Sequence, residues 1–274
     1  MRRERTRVTL GFTVDALVRA GRGGGALRMG LSRVPAEAWL WPEFDRAARL
    51  EGLGLPGAVQ SLPGSVAAQA EVAALVGIHG DLRAAAAVTW EDLCVLERDG
   101  EGRFVLTAGA VAFPTDWRLA DKIGLPVGAI HAPIHGYAEQ LSAGVDHFLD
   151  TLTPGPVFGR ANWFVVASDA LRYLPEDDAA ERFAHVIADT AGETLFVRCE
   201  RQTLRKLPQT GAVLFTIGIA VARLDAVEPA TLARVAAGIA AQPAGEQGRK
   251  AAPFYASALA DYAARRSNDR LEAA

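Results

Sequence analysis

The chain is poor in cysteine: of 274 residues only Cys94 and Cys199 are cysteines, 105 positions apart and each inside an apolar, strand-like segment. This excludes a disulfide-stapled scaffold and leaves no CxxC pair for a structural metal or a redox dithiol. The two read as buried free thiols, as expected in a reducing compartment. Long apolar runs are also missing. No stretch approaches the roughly eighteen residues of a membrane span, and the longest, Ala212 to Ala222, reads as a buried strand. The N-terminus, MRRERTRVTL, is basic, but neither an apolar h-region nor a small-residue cleavage site follows it. The expectation is a soluble, cytoplasmic protein. Charge of one sign is not in excess, since 29 Lys and Arg against 32 Asp and Glu leave a net charge of −3. Nothing in that balance drives the chain toward nucleic acid or an anionic membrane.

What is present is ample core material, half of the residues being hydrophobic. The first ninety or so residues read mostly as loop and helix: a glycine-rich turn over Gly21 to Gly25, then Pro35 to Leu50, then Ser65 to Gly77. The last of these opens on a serine N-cap and ends on glycine, which suits a short helix. The character changes near Trp90. Leu93 to Arg98 and Arg103 to Phe113 flank the turn Asp-Gly-Glu-Gly and predict a β-hairpin. An amphipathic helix is expected over Glu139 to Leu152, with Leu141, Val145, Phe148 and Leu149 at helical spacing. Strands are expected at Asn162 to Ser168, Thr194 to Gln202 and Ala212 to Leu224, with a helix, Glu176 to Thr190, between the first two. Helices over Pro229 to Ala241 and Pro253 to Arg266 complete the pattern. About five strands with interspersed helices make an α+β fold around a mainly antiparallel sheet. A single domain is expected over residues 1–274: an N-terminal helical and loop extension (1–88), a core (89–224) and C-terminal helices (225–274).

Several motifs fail on context. GRGGGA at Gly21 to Ala26 is a loose dinucleotide fingerprint without the strand that should precede it, and reads as a turn. His131 and His135 have the spacing of a helical zinc pair, but Pro133 between them opposes helix. No nucleophile elbow, phosphate-binding loop or EF-hand loop occurs.

Chemistry concentrates in two places. His131 follows the apolar stretch Gly124 to Ile130, and Pro133 is expected to hold its backbone extended. A neutral imidazole at the rim of an apolar cavity suits a five-coordinate heme iron, and equally a satisfied core histidine. The second concentration is Leu195 to Pro208. There Leu195, Val197, Cys199 and Arg201 share one strand face, and Arg198, Glu200 and Gln202 take the other. Charges this dense beside apolar strands need partners. Either they form an internal Arg–Glu network, or Arg201 or Arg205 pairs with an anionic ligand group such as a propionate. Arg160, Asn162 and Trp163 offer similar donors beside an aromatic ring.

Taken in order, the chain's segments resemble the heme-dependent oxidative N-demethylase-like family, whose members include the heme subunit of dimethylamine monooxygenase. The resemblance runs through Met29-Gly-Leu31, Trp39-Leu40, Asp45, Glu91-Asp-Leu-Cys94, Leu106-Thr-Ala-Gly109 and Phe113-Pro114. It continues through Trp117, Lys122-Ile-Gly124, Ile130-His-Ala-Pro133 and Gly136-Tyr137. It closes on Arg160, Asn162-Trp163, Arg198, Glu200-Arg-Gln-Thr-Leu204, Leu207-Pro208 and Phe215-Thr-Ile217. The set IHAP, R-x-N-W and ERQTL followed by LP is its most specific part. The resemblance implies a PAS-like curved antiparallel sheet holding heme b. It also implies a monooxygenase reaction in which O2 removes a methyl group from a small amine as formaldehyde. Electrons would come from a separate reductase carrying flavin and an iron–sulfur centre. On this reading His131 is the iron ligand, Tyr137, Arg160, Asn162, Trp163, Arg201 and Arg205 surround the cofactor, and Glu200 is the catalytic acid or the amine's anchor. The alternative is a heme or small-ligand sensor of PAS-like fold without catalysis. The chain departs from the family pattern in its short N-terminal region and its alanine-rich 83–88 stretch, which bears on the substrate. The amine, the reductase and any homo-oligomer stay open.

Overall fold

The predicted hairpin turns on Asp99, whose carboxylate accepts from the backbone N–H groups of Glu101 and Arg103, both at 2.9 Å. Gly102 closes it at φ +80°, a conformation that glycine adopts without a Cβ penalty. The structure, a computed structural model, describes residues 10–21 and 27–272. The basic N-terminal residues and most of the GRGGGA segment lie outside that range.

Seven strands are formed: β1 (Ser32–Val34), β2 (Val59–Ser61), β3 (Asp92–Arg98), β4 (Phe104–Ala110), β5 (Val157–Val166), β6 (Phe196–Lys206) and β7 (Val213–Arg223). They make one sheet in the order β1-β5-β6-β7-β3-β4-β2, with every neighbouring pair antiparallel. The α+β class holds, but the sheet has seven strands rather than about five. The extra two come from the N-terminal region read as loop and helix. Each is three residues long, too short to show alternation, and exists because it pairs with an open edge, β1 on β5 and β2 on β4.

Helices are set by local caps. Thr13, Asp45 and Asp81 accept from Ala16, Ala48 and Ala84 at the starts of Val14–Ala20, Arg46–Gly54 and Leu82–Ala87. The alanine-rich stretch is the last of these, and its small buried side chains let it lie close against the sheet. Helix Val66–Leu75 ends as expected on Gly77 at φ +82°. There Gly77 N donates to Ala74 O and Ile78 N to Ala73 O, the paired bonds of a Schellman cap. A buried ion pair, Arg49 to Asp92 at 2.6 Å, ties helix Arg46–Gly54 to β3. Its remaining valences are filled by the carbonyls of Ala86 and Glu91 and the N–H groups of Ala112 and Phe113.

Two expected elements differ. Glu176 to Thr190 is not one helix: within it only Ala179–Arg182 forms a helical turn, and the chain then runs through turns to a second short helix, Ala191–Thr194. Asp178 caps the first turn, and Phe183 and Val186 then turn into the core, Phe183 packing on Tyr255 with ring centroids 5.0 Å apart. The expected helix from Glu139 begins as a π-turn, Ala138–Ser142, before becoming α-helical over Ala143–Thr151. No helix among the described residues is long and apolar enough to cross a membrane.

The sheet's two faces have different work. The face carrying Val197, Cys199 and Arg201 is covered by helix Val14–Ala20, with Cys199 against the Val14 carbonyl. Both cysteines are free and buried, and burial pushes their thiol pKa values up. The opposite face, carrying Cys94, Leu106, Phe215, Leu204, Gln202 and Glu200, opens onto a cavity of about 530 Å³.

Candidate functional site

The cavity's far walls come from helix Val127–Ile130, the segment that follows it, and helix Ala143–Thr151, from which Val145, Phe148 and Leu149 project inward. Its volume falls in the range of about 300–1,000 Å³ typical of small-molecule and cofactor sites.

His131 caps the four-residue helix Val127–Ile130 at φ −97°, ψ 1°, and is not extended as expected. Pro133 restricts Ala132, one residue further on, so His131 is free to complete the turn. Its Nδ1 lies 2.8 Å from the Val127 carbonyl oxygen. A carbonyl can only accept, so Nδ1 carries the hydrogen and the lone pair stays on Nε2. The imidazole stacks on Tyr137, centroids 4.7 Å apart and planes within 10°. Burial chiefly, with the charges of Arg160 and Lys122, lowers its pKa and favours the neutral ring, although the Val127 bond acts the other way. Lys122 donates to Ile130 O at 2.9 Å and so pins the end of the same helix. Burial, reinforced by Asp146 and opposed by Arg160, pushes the Tyr137 phenol up to about 12.

The strands supply the polar floor. Register pairs Arg160 with Gln202 and Asn162 with Glu200, and the pleat points all four to one face. Arg160 Nε donates to Gln202 Oε1 at 2.6 Å, and Gln202 Nε2 donates to Glu200 Oε2 at 2.8 Å. Arg160 also reaches the Met29 carbonyl at 3.4 Å. Burial lowers its pKa while Glu200 and Tyr137 act to raise it.

Of the residues singled out in the sequence, His131, Tyr137, Arg160, Asn162 and Glu200 border the cavity; Trp163 borders it too, but it pairs with Cys199 in register and its indole packs toward Gly21 on the helix-covered face. Arg201 and Arg205 do not. Their odd positions on β6 send them to the other face, where Arg201 donates to the carbonyls of Ala38 and Trp39, and Arg205 lies 4.7 Å from the Trp39 ring centroid. Arg198, on the cavity side of β6, is consumed by Thr115 and the carbonyls of Phe113, Pro114, Ala170 and Leu171. Sequence reasoning missed Gln202 as the link between Arg160 and Glu200, although alternation placed it beside Glu200. It also missed Lys122 and Lys250, which only tertiary packing brings to the cavity.

The donor set fits a porphyrin. Among the described residues no three His, Cys, Asp or Glu side chains gather to hold a bare metal ion. An iron bound through His131 would therefore need its other ligands from a macrocycle. The walls are largely apolar, yet six basic side chains (Arg28, Lys122, Arg160, Arg182, Arg249 and Lys250) border the cavity against three acidic ones (Asp116, Glu200 and Glu246). Arg182 is paired with Asp177 and Arg249 with Glu246, and the remaining positive charge suits an anionic ligand such as a porphyrin bearing propionates. Gln242, which borders the cavity, keeps a buried Oε1 with no partner within the protein. The family described as "Haem-dependent oxidative N-demethylase, alpha subunit-like" matches residues 63–259, well over half of the chain, and the chain belongs to that family.

Proposed function

We propose that the chain holds heme b in this PAS-like cavity through His131 Nε2 and oxidatively demethylates a small methylated amine. The balanced reaction is R2N–CH3 + O2 + 2 H+ + 2 e− → R2N–H + HCHO + H2O, with the electrons delivered by a separate reductase carrying flavin and an iron–sulfur centre. The observation that carries the reading is the His131 tautomer: Nδ1 is committed to Val127 O at 2.8 Å, leaving Nε2 as an acceptor beside an apolar cavity.

Bound heme would supply O2 binding and activation, chemistry that no side chain provides. The remaining work belongs to the chain. Tyr137 fixes the plane of the imidazole by stacking. Gln202, held by Arg160, directs a hydrogen bond at Glu200 and so orients its carboxylate. Glu200 is then the negative partner for a substrate ammonium entering a largely apolar site in which basic side chains outnumber acidic ones. The apolar wall of Phe148, Phe164 and Ile217 excludes water from the methyl group.

Titration of the purified protein with hemin is expected to give a Soret band at about 400 nm, and His131→Ala to abolish it. Unchanged hemin binding by that variant would remove the ligand assignment. Reductase-dependent formaldehyde release separates an enzyme from a heme sensor.

A further inference from the structure

Lys250 occupies a part of the cavity that the reading above leaves without a task. It follows the short helix Ala244–Arg249 and precedes Ala251, which is left-handed at φ +55°. Its ammonium lies 5.0 Å from the centroid of the Phe164 ring. Phe164 is four residues along β5 from Arg160 on the same face, roughly 13 Å at strand rise. Lys250 is therefore displaced from the end where Arg160, Tyr137 and His131 meet.

The neighbouring acid is already taken, since Glu246 pairs with Arg249 at 2.8 Å. Among the described residues no carboxylate lies within ion-pair distance of the Lys250 ammonium, which sits over an aromatic face. Burial, then Arg249, pushes its pKa down to about 8 against the opposing charges of Glu246 and Glu200. A half-buried cation without a counter-ion is costly unless a ligand completes it.

We propose that Lys250 anchors a carboxylate at this end of the cavity, carried either by the porphyrin or by an N-methylated amino acid as substrate. The inference rests on the cavity reading above for the kind of ligand, and does not depend on iron being held by His131.

Two arms distinguish the sources, with Lys250→Met keeping the apolar stem over Phe164 and Lys250→Arg keeping the charge. In the first arm, metal-free protoporphyrin IX and its dimethyl ester are compared by quenching of tryptophan fluorescence, Trp117 and Trp163 both bordering the cavity. In the second, N-methylglycine and dimethylamine are compared by calorimetry on the protein as purified. In one arm the wild type should bind the carboxylate ligand about tenfold or more tighter than the counterpart without a free carboxylate. Lys250→Met should lose that preference and Lys250→Arg retain most of it. The first arm responding assigns a propionate, and the second a substrate carboxylate. No preference in either arm, or a preference that Lys250→Met leaves intact, overturns the proposal. Thermal melts establish that each variant is folded, and Lys250→Gln replaces the Met variant if it is not. Failure of the heme reading would show separately, as an absent or His131-independent Soret band, because neither arm contains added iron.

Discussion

Glu200→Gln tests where the substrate's ammonium sits. Glu200 is 6% exposed and accepts from Gln202 Nε2 at 2.8 Å, while Gln202 is itself held by Arg160 at 2.6 Å. The amide nearly matches the carboxylate in shape, so the substitution removes charge while leaving the packing in place. A hydrogen bond to a charged partner in such a site contributes about 1.5–3 kcal/mol, or roughly 10- to 150-fold in affinity for the amine. A second effect falls on the fold. Among the described residues Arg160 has no carboxylate within ion-pair distance, and Glu200 is the leading charge acting to raise its pKa. Loss of that charge should cost about 1–2 kcal/mol, lowering Tm by roughly 2–8 °C in a chain of this size. Formaldehyde release measured over a range of amine concentrations, with a reductase supplying electrons, should show KM raised at least about tenfold. Hemin affinity should not fall, because the substitution removes negative charge from a site read as binding propionates. A Glu200→Gln enzyme with wild-type KM and kcat would show that the carboxylate does not contact the amine.

Arg49→Met breaks a fully buried ion pair but leaves Asp92 two backbone donors, Ala112 N and Phe113 N. The loss should therefore lie near the lower end of the range for such pairs, about 3 kcal/mol, read as a shifted midpoint in urea unfolding. Arg201→Met strips donors from the carbonyls of Ala38 and Trp39 and should cost about 1–3 kcal/mol. Its hemin affinity should match the wild type, and a tenfold loss in a folded variant would return Arg201 to the site. Gly159→Ala places a Cβ 2.7 Å from Leu10 Cδ2 and 2.8 Å from Val34 Cγ2. Overpacking there should cost about 1–3 kcal/mol, and because Gly159 neighbours Arg160 on β5, hemin titration should report any displaced floor.

The local features of this protein were legible before its fold. The Asp99 to Gly102 turn follows from a carboxylate accepting backbone N–H groups and a glycine free to take positive φ, so the β3–β4 hairpin was legible. Alternation along β6 separated Glu200 and Gln202 from Cys199 and Arg201 with no knowledge of the neighbours, because a strand's pleat has a period of two. The ordered motifs pointed to the family that the match over residues 63–259 establishes.

The remaining features depend on contacts between distant segments. Alternation divides residues between two faces but does not say which face holds the cavity, so Arg201 and Arg205 could be expected at a propionate while they bind the Ala38–Trp39 segment instead. β1 and β2 exist only because the edges of β5 and β4 offer unpaired backbone, a contact between residues more than 45 positions apart. Lys250 lies nearly ninety positions from Phe164, and no local pattern marks it. Its place over that ring depends on how the C-terminal segment folds back to the sheet. His131 shows both limits together. Its position in an apolar stretch beside proline marked it as a candidate, but the proton on Nδ1 and the lone pair on Nε2 follow from a helical turn that brings the Val127 carbonyl within 2.8 Å.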